Sequence, residues 1–263
     1  MSTRYEIQDQ QWRLIQKLFP PERKPQGGRP AVDNRWMLNA MLWVARSGAP
    51  WRDLPDTFPH WKSVYTRFRR WQKAGIWDKV LEHVSLDLDE ESIMIDATIV
   101  RVHQHGSGAK GGKDKQAIGR SRGGLSTKIH AVVDALGNPL RFELTGGQAH
   151  DSVQGYKILQ TIELTMKQVL ADRAYDTNAI RSLLKEHEAI PVIPGKKNRR
   201  VKPKYDHDLY KERHLVECFF NKVKKYRRLA TRYDKLACTF QAFFNAGFHS
   251  RMACLGLKTR PSP

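Results

Sequence analysis

The sequence predicts an α/β protein in two parts, a small all-α segment followed by a mixed β-sheet flanked by helices. Apolar residues recur at helical spacing up to about residue 90, and apolar runs typical of buried strands follow. Beyond them, strand and helix patterns alternate, as in a sheet covered by helices. With 263 residues, of which 40% are hydrophobic, the chain can form two cores. We therefore expect domains at residues 1–90 and 91–263.

The chain is strongly basic, with 46 Lys and Arg against 27 Asp and Glu and a net charge of +19. A polyanion is the expected partner of such a protein, and nucleic acid is the first candidate. No apolar run approaches the roughly 20 residues of a membrane-spanning helix, so we expect a cytoplasmic protein without membrane contact. The cysteines, Cys218, Cys238 and Cys254, fit neither a disulfide framework nor a metal knuckle.

Helical spacing predicts three short helices in the N-terminal part. Asp33 is placed to cap the second helix, and the third covers His60 to Lys73 with one apolar sector and a basic outer face. This order is similar to a helix-turn-helix, whose last helix enters the major groove of DNA. Arg67, Arg69 and Arg70 are then candidate DNA contacts. The alternative is that they form the ordinary surface of a basic protein.

The second part begins with a strand, Ser92 to Val100, that is apolar on both faces and therefore belongs in the centre of a sheet. A mobile, basic, glycine-rich loop is predicted at 103–127. Further strands are predicted at 128–133, 140–144, 168–171 and 190–193, and helices at about 151–164, 177–187, 208–230 and 240–255. Asp151 or Ser152 is expected to cap the first of these helices.

Two aspartates of this part occupy positions that call for a partner. Asp96 lies in the middle of the apolar strand, where a carboxylate must be neutralised, hydrogen-bonded or metal-bound. Asp172 follows the strand at 168–171, at the edge where open sheets place their binding crevices. A structural hydrogen bond would explain Asp96 equally well. Asp172 could equally cap the helix region at Thr177 or pair with Arg173.

A third carboxylate, Glu217, belongs to a polar stripe. On a continuous helix Tyr210, Arg213, Glu217 and Lys224 fall within about 60° of one another. This face could serve a site, or it could be a solvated face with an ion pair between Arg213 and Glu217. Spacing alone leaves both interpretations open.

Together these residues resemble the Asp-Asp-Glu signature of transposases from bacterial insertion sequences, in the insertion-sequence-five family. The matching motifs are I-D-A-T around Asp96, A-D-R-A-Y-D around Asp172, and Y-x2-R-x3-E-x6-K from Tyr210 to Lys224. The resemblance covers nearly the whole chain. It extends to G-G-R-P at 27–30, S-G-A-P-W-R-D-L-P at 47–55, Y-T-R-F-R-R-W at 65–71, G-R-S-R-G-G-L-S-T-K-I-H at 119–130 and G-Q-A-H-D-S at 147–152.

The resemblance implies a ribonuclease-H-like fold for residues 91–263 and a transposase that binds terminal inverted repeats, cleaves DNA and transfers the strand. It implies that Asp96, Asp172 and Glu217 are catalytic and hold two Mg²⁺ ions, for which Mn²⁺ can substitute. The implied partners are double-stranded DNA, both element ends and target, and a second copy of the chain in a synaptic homodimer or larger assembly. The alternatives are a non-catalytic DNA-binding regulator derived from such an element and a structure-specific nuclease.

Basic residues are concentrated around the Glu217 helix, which predicts phosphate contacts. The candidate DNA-binding residues of the second part are Tyr210, Arg213, Lys224, Arg120, Arg122, Lys196, Lys197, Arg199 and Arg200. His103 and His105 could form half of a zinc site, but a solvated loop explains them more simply.

Overall fold

The computed structural model describes residues 5–23, 25–28, 30–84 and 91–252, and the chain divides into two compact units. The first unit comprises residues 1–86 together with 223–263, and the second comprises residues 87–222. One division therefore lies close to the boundary expected near residue 90. The segment after residue 222 was expected in the second domain, but it clusters with the N-terminal helices.

The N-terminal part of the first unit is helical, as the sequence predicts. Its helices are α1 (Asp9–Ile15), α2 (Asn34–Ser47), α3 (Trp61–Lys73) and α4 (Ile76–Val84). The predicted cap is confirmed, because the Asp33 carboxylate accepts a hydrogen bond from the Trp36 amide at the start of α2. The same helix ends where Gly48 adopts a left-handed φ of 74°. A short turn through Ala74 and Gly75 joins α3 to α4.

The second unit is built on a mixed sheet. Its strands are β1 (Ser92–Val102), β2 (Gly119–Ser121), β3 (Gly124–Asp134), β4 (Pro139–Gly146), β5 (Gln168–Ala171) and β6 (Ile190–Val192). β3 runs antiparallel to β1, and β2 and β4 pair with the other edge of β3. β5 is parallel to β1, and β6 is parallel to β5. β1 is thus an inner strand between β3 and β5.

The helices of the second unit are α5 (Gly112–Lys115), α6 (Asp151–Leu159), α7 (Asn178–Glu186), α8 (His207–Lys211) and α9 (His214–Lys224), the last of which crosses the unit boundary. On one face of β1, Ile93 and Ile95 pack with Ile158 of α6 and Leu184 of α7. Met94, on the opposite face, is equally buried. Burial on both faces is the reason why the strand reads as a continuous apolar run.

The loop predicted at 103–127 is shorter than expected. It contains α5, and its last part forms β2 and the start of β3. Ser126 and Thr127 of β3 are fully buried although they are polar, and the Thr127 hydroxyl donates to the Ala117 carbonyl at 2.6 Å. A strand that buries hydrogen-bonded hydroxyls shows no apolar periodicity, so the sequence pattern did not reveal it.

The long helix predicted at about 208–230 is broken. α8 and α9 are separate, and the amides of Arg213 and Val216 at their junction bond to carbonyls three residues earlier, those of Tyr210 and Arg213. Such tighter turns change the direction of the side chains that follow. The helix predicted at about 151–164 likewise ends earlier, at Leu159.

The C-terminal segment adds α10 (Arg227–Ala230), β7 (Thr231–Arg232) and α11 (Ala237–Met252) to the first unit. Phe243 of α11 stacks on Phe68 of α3, with ring centroids 4.5 Å apart. Arg228 and Asp234 form a buried ion pair at 2.9 Å. These contacts explain why the segment clusters with the N-terminal helices. Of the helices that the structure describes, none is long and apolar enough to cross a membrane.

Candidate active site

Asp96, inside β1, and Asp172, directly after β5, occupy adjacent positions on two neighbouring strands. β1 and β5 are parallel, and Ile95 lies opposite Ala171 in their register. Asp96 and Asp172 are the next residues along the two chain segments, and the Asp172 carboxylate lies close enough to raise the pKa of Asp96. The carboxyl ends of parallel strands are where open sheets bind ligands. The sequence identifies both residues as site candidates, and the register of β1 with β5 places them next to each other.

The Asp96 carboxylate is held by two donors. Oδ1 accepts a hydrogen bond from the Ala97 amide at 2.7 Å, and Oδ2 accepts one from Nη1 of Arg213 at 2.8 Å. Burial raises the pKa of Asp96, and the Asp172 carboxylate raises it further, although the Ala97 and Arg213 donors oppose the shift. Additional positive charge at this position would therefore stabilise the ionised carboxylate.

Asp172 caps the turn that follows β5. Its Oδ1 accepts a hydrogen bond from the Ala174 amide at 2.7 Å, and the chain forms a single 3₁₀ turn at Arg173–Tyr175. The predicted alternative, a cap of the Thr177 helix region by Asp172, is wrong, because the Thr177 hydroxyl itself caps α7 by accepting a hydrogen bond from the Ile180 amide. The Tyr175 ring in this turn is buried, and burial, together with the nearby aspartates, raises the pKa of its hydroxyl well above 10. That hydroxyl stays protonated at neutral pH.

Arg213 links Glu217 to Asp96. While Nη1 contacts Asp96, Nη2 donates to Oε1 of Glu217. The i,i+4 ion pair offered as the simpler interpretation of Glu217 is therefore present, and the same arginine draws Glu217 toward the aspartates. Burial lowers the pKa of Arg213, but the negative groups around it, chiefly Asp96, outweigh burial and raise it. The guanidinium remains a fixed positive charge between two carboxylates.

The three carboxylates are oxygen ligands of the kind that Mg²⁺ prefers. Among the described residues, no three acidic, histidine or cysteine side chains lie close enough together to surround one ion. Arg213 instead occupies oxygens of Asp96 and Glu217. His103 and His105, whose rings are 4.7 Å apart, belong to no such cluster either.

The break between α8 and α9 rearranges the predicted polar stripe. Tyr210 lies on α8, and the Arg213 guanidinium stands 5.9 Å from the centre of its ring. Glu217 and Lys224 remain on α9, where Lys224 is the last residue and is exposed. The four side chains therefore do not share one continuous helix. Tyr210 contacts the Arg213 guanidinium, which in turn contacts Glu217.

The basic stretch after β6 is partly engaged within the protein. Nε of Arg199 donates to Asp176 at 2.8 Å, and its Nη2 donates to Asn178 at 2.9 Å. Lys197 and Arg200 are exposed, and Lys196 is half-buried. We therefore keep these three as candidate phosphate contacts and assign Arg199 to holding the stretch in place. Arg120 on β2 and Arg122 in the following turn are both exposed.

The arginines of α3 differ in the same way. Arg67 donates to the Val32 carbonyl and to Asn34, and Arg69 donates to the Thr239 hydroxyl. Arg70 is exposed. Arg67 and Arg70 also line a cleft of about 400 Å³ between α3 and residues 30–32. Of the three arginines, Arg70 has the side chain best placed to reach DNA.

Two polar residues near the site have roles that the sequence did not predict. Asp151 was expected as a cap, but His150 takes the N-cap position and Asp151 forms an ion pair with Lys128 at 2.8 Å. Asp176 stands in the A-D-R-A-Y-D motif and was assigned no role, yet its side chain is fully buried between two arginines. The signal available for Asp176 was its place in this motif, since its arginine partners Arg181 and Arg199 are brought to it only by the fold.

A mixed sheet whose inner strand has one antiparallel and one parallel neighbour, flanked by helices, is a ribonuclease-H-like fold, and here it carries the candidate residues Asp96, Asp172 and Glu217. A family model described as "Putative transposase of IS4/5 family" matches residues 7–81, and the model "Transposase DDE domain" matches residues 87–250. The second match spans more than half of the chain, and the chain belongs to the DDE transposase family. The predicted family is thus confirmed, a transposase enzyme is supported, and membership implies the use of divalent metal ions.

Individual relatives agree with the family. The chain is 42% identical over 120 residues to the "Putative transposase for insertion sequence element IS6501" of Brucella ovis, covering 45% of this chain and 92% of that protein. It is 42% identical over 114 residues to the uncharacterized protein y4sN of Sinorhizobium fredii, covering 42% and 90%. Among solved structures, the piggyBac transposase synaptic complex with hairpin DNA has a TM-score of 0.55 at 10% identity, covering 94% and 73%. That likeness supports the ribonuclease-H-like fold.

Proposed function

We propose that this transposase binds the terminal inverted repeats of its own insertion sequence, cleaves DNA at the element ends and joins the freed 3′ ends to target DNA. The observation that carries the proposal is the proximity of Asp96 on β1, Asp172 at the end of β5 and the Arg213–Glu217 pair. Hydrolysis and strand transfer both attack a phosphodiester with an oxygen nucleophile, so one site can serve both steps.

Asp96, Asp172 and Glu217 would hold two Mg²⁺ ions, or Mn²⁺ in their place. The bound ions would supply Lewis-acid activation of the attacking oxygen and charge stabilisation at the leaving oxygen. Arg213 now neutralises two of these carboxylates. Its planar guanidinium is equally suited to a phosphate. We therefore assign Arg213 to the scissile phosphate when DNA and metal are bound.

The remaining candidate residues would contact DNA around this site. Tyr210 orients Arg213 through its ring, and Lys224 and the exposed Lys197 and Arg200 offer charges to the phosphate backbone. We assign recognition of the ends to residues 1–90, with Arg70 of α3 as the leading base or phosphate contact. Because two ends must be joined in one event, the active assembly would be a homodimer or larger.

The test is an assay with labelled element ends, a target plasmid and Mg²⁺, scored for cleaved and for joined products. Asp96→Asn, Asp172→Asn and Glu217→Gln should each abolish both products while end binding persists, because each variant loses a charged metal ligand. Asp208→Asn, on exposed α8, is the matched control and should behave like the wild type.

Each alternative predicts a different outcome of this assay. A regulator derived from a transposase would bind ends and yield neither product. A structure-specific nuclease would yield cleaved but not joined DNA. Wild-type strand transfer by any of the three carboxylate variants would show that the assigned triad is incorrect.

A further inference from the structure

Asp176 is a buried carboxylate that the candidate active site does not use. Its side chain is 0% exposed, and it directly follows the turn that Asp172 caps. A buried carboxylate costs several kcal/mol unless charges and hydrogen bonds compensate it. Its partners therefore show which parts of the chain it holds together.

Three donors surround the carboxylate. Nε of Arg181, on α7, donates to Oδ1 at 2.7 Å. The backbone amide of Lys196 and Nε of Arg199 donate to Oδ2 at 2.7 and 2.8 Å. Two of these donors belong to the basic stretch after β6, so Asp176 binds that stretch by its backbone and by a side chain.

The two arginines that contact Asp176 also form hydrogen bonds to other parts of the chain. Nη2 of Arg181 donates to the Ile193 carbonyl at 2.9 Å, at the point where the chain leaves β6. Nη2 of Arg199 donates to Asn178, the first residue of α7, at 2.9 Å. Arg181 thus joins α7 to the end of β6. Arg199 joins the basic stretch to the start of α7.

The stretch also folds back on itself. A Cβ added to Gly195 would lie 2.8 Å from Cδ of Pro203, so the two ends of the segment are packed against each other. We call residues 195–204 the basic loop. Its exposed cations include Lys197, Arg200 and Lys202, and Lys196 is half-buried.

The electrostatics favour a permanently charged anchor. Burial works to raise the pKa of Asp176, but the Lys196 amide and the Arg181 and Arg199 guanidinium groups outweigh burial and lower it. Asp176 is therefore ionised at neutral pH. An ionised carboxylate makes stronger hydrogen bonds to these donors than a neutral one would.

We propose that Asp176 is a positioning residue that holds the basic loop at a fixed place relative to Asp172, so that its cations meet the DNA backbone while the scissile phosphate reaches the carboxylates. The inference rests on the proposed function. Asp176 itself touches neither metal nor DNA. A single 3₁₀ turn separates Asp172 from Asp176. The contacts of Asp176 with the basic loop therefore connect phosphate binding by the loop to DNA cleavage at Asp172.

The first test examines the free protein by hydrogen exchange. Asp176→Asn keeps the shape of the side chain but loses its charge, and amides of the basic loop should then exchange at least about tenfold faster. Asp134→Asn is the matched control, since Asp134 is also fully buried and accepts amide hydrogen bonds from Leu136 and Asn138 in the β3–β4 turn. In the control, exchange in the basic loop should be unchanged.

The second test measures binding of the full chain to element-end DNA as a function of salt. A loop that no longer presents its cations should bind with fewer phosphate contacts. Each lost contact reduces the slope of log affinity against log salt by about 0.9. We expect Asp176→Asn to lose about two contacts and Asp134→Asn to lose none. Arg199→Gln, which retains the Asp176 charge, should shift slope and exchange in the same direction by less.

The proposal would be overturned if amides of the basic loop exchanged in Asp176→Asn at the wild-type rate. It would also be overturned if they exchanged faster while the salt slope stayed unchanged. A purely structural role for Asp176 would lower the melting temperature in both buried-carboxylate variants and leave the salt slope alone. Failure of the proposed function would appear instead as absent cleavage by the wild-type protein, which the exchange experiment does not require.

Discussion

At the scale of single residues, the candidate site is governed by charge compensation. Asp96 lies in an environment that raises its pKa, and Arg213 supplies the nearest positive charge to it and to Glu217. A divalent ion would compete with this guanidinium for the same oxygens. The ion pair that the sequence offered for Glu217, and the cap that Asp172 forms on the turn at residues 173–175, describe the arrangement without metal. They are compatible with a catalytic role because those contacts are exchangeable.

Arg213→Ala should strengthen metal binding by the DNA-free protein several-fold. The variant removes the cation that now occupies oxygens of Asp96 and Glu217, and it makes the site more negative. Isothermal titration with Mn²⁺ at pH 8 measures the effect. Lys211→Ala is the matched control, because it removes one exposed positive charge from α8. Equal metal affinities in the two variants would contradict competition between Arg213 and the ion, while DNA cleavage by Arg213→Ala should still be slow.

At the scale of elements, the packing of α6 determines where the Asp172 turn lies. Gly155 of α6 faces the Tyr175 ring, and a Cβ at this glycine would lie 2.5 Å from a ring carbon. Tyr175 ends the 3₁₀ turn that begins after Asp172. The small residue therefore allows the helix to approach the turn closely, and this contact supports the position of Asp172, a proposed metal ligand.

Gly155→Ala should destabilise the second unit by about 1–3 kcal/mol, because the rigid ring and the helix backbone must move apart. Scanning calorimetry of the full chain gives the change. Gly123→Ala is the control, since its nearest neighbours lie at 3.8 Å or more and its backbone is not in the left-handed region. An unchanged melting temperature for Gly155→Ala would mean that α6 shifts at no cost.

At the scale of the whole chain, the C-terminal segment belongs to the unit of the N-terminal helices. Its attachment includes the buried pair of Arg228 with Asp234, a hydrogen bond from Arg228 to the Ala49 carbonyl at 3.1 Å, and the stacking of Phe243 on Phe68. Arg228 follows the basic Glu217 helix in the sequence. Its burial removes it from any DNA contact and makes it a structural residue of the first unit.

Asp234→Ala should destabilise the first unit by about 3–5 kcal/mol, because Arg228 would remain buried without its counter-charge. All 7 tryptophans precede residue 86, so tryptophan fluorescence during urea unfolding reports on this unit. The double variant Arg228→Met, Asp234→Leu should lose much less, since an apolar pair avoids the unpaired charge. If the double variant is as unstable as Asp234→Ala, packing rather than charge maintains the contact.

The sequence alone was sufficient for features that depend on local patterns. The apolar run of β1, the strand at Gln168–Ala171 and the cap at Asp33 follow from residue type and short-range spacing, and the motifs around Asp96, Asp172 and Glu217 identified the family.

Tertiary structure decided what depends on distant partners. The register of β1 with β5 places the aspartates side by side, and Arg213 joins Glu217 to Asp96 across the break between α8 and α9. Burial of Asp176 with Arg199, and of Arg228 with Asp234, separates structural cations from those available to DNA. Charge and periodicity do not reveal such pairs, because a residue's partner is selected by the folded backbone and not by its neighbours along the chain.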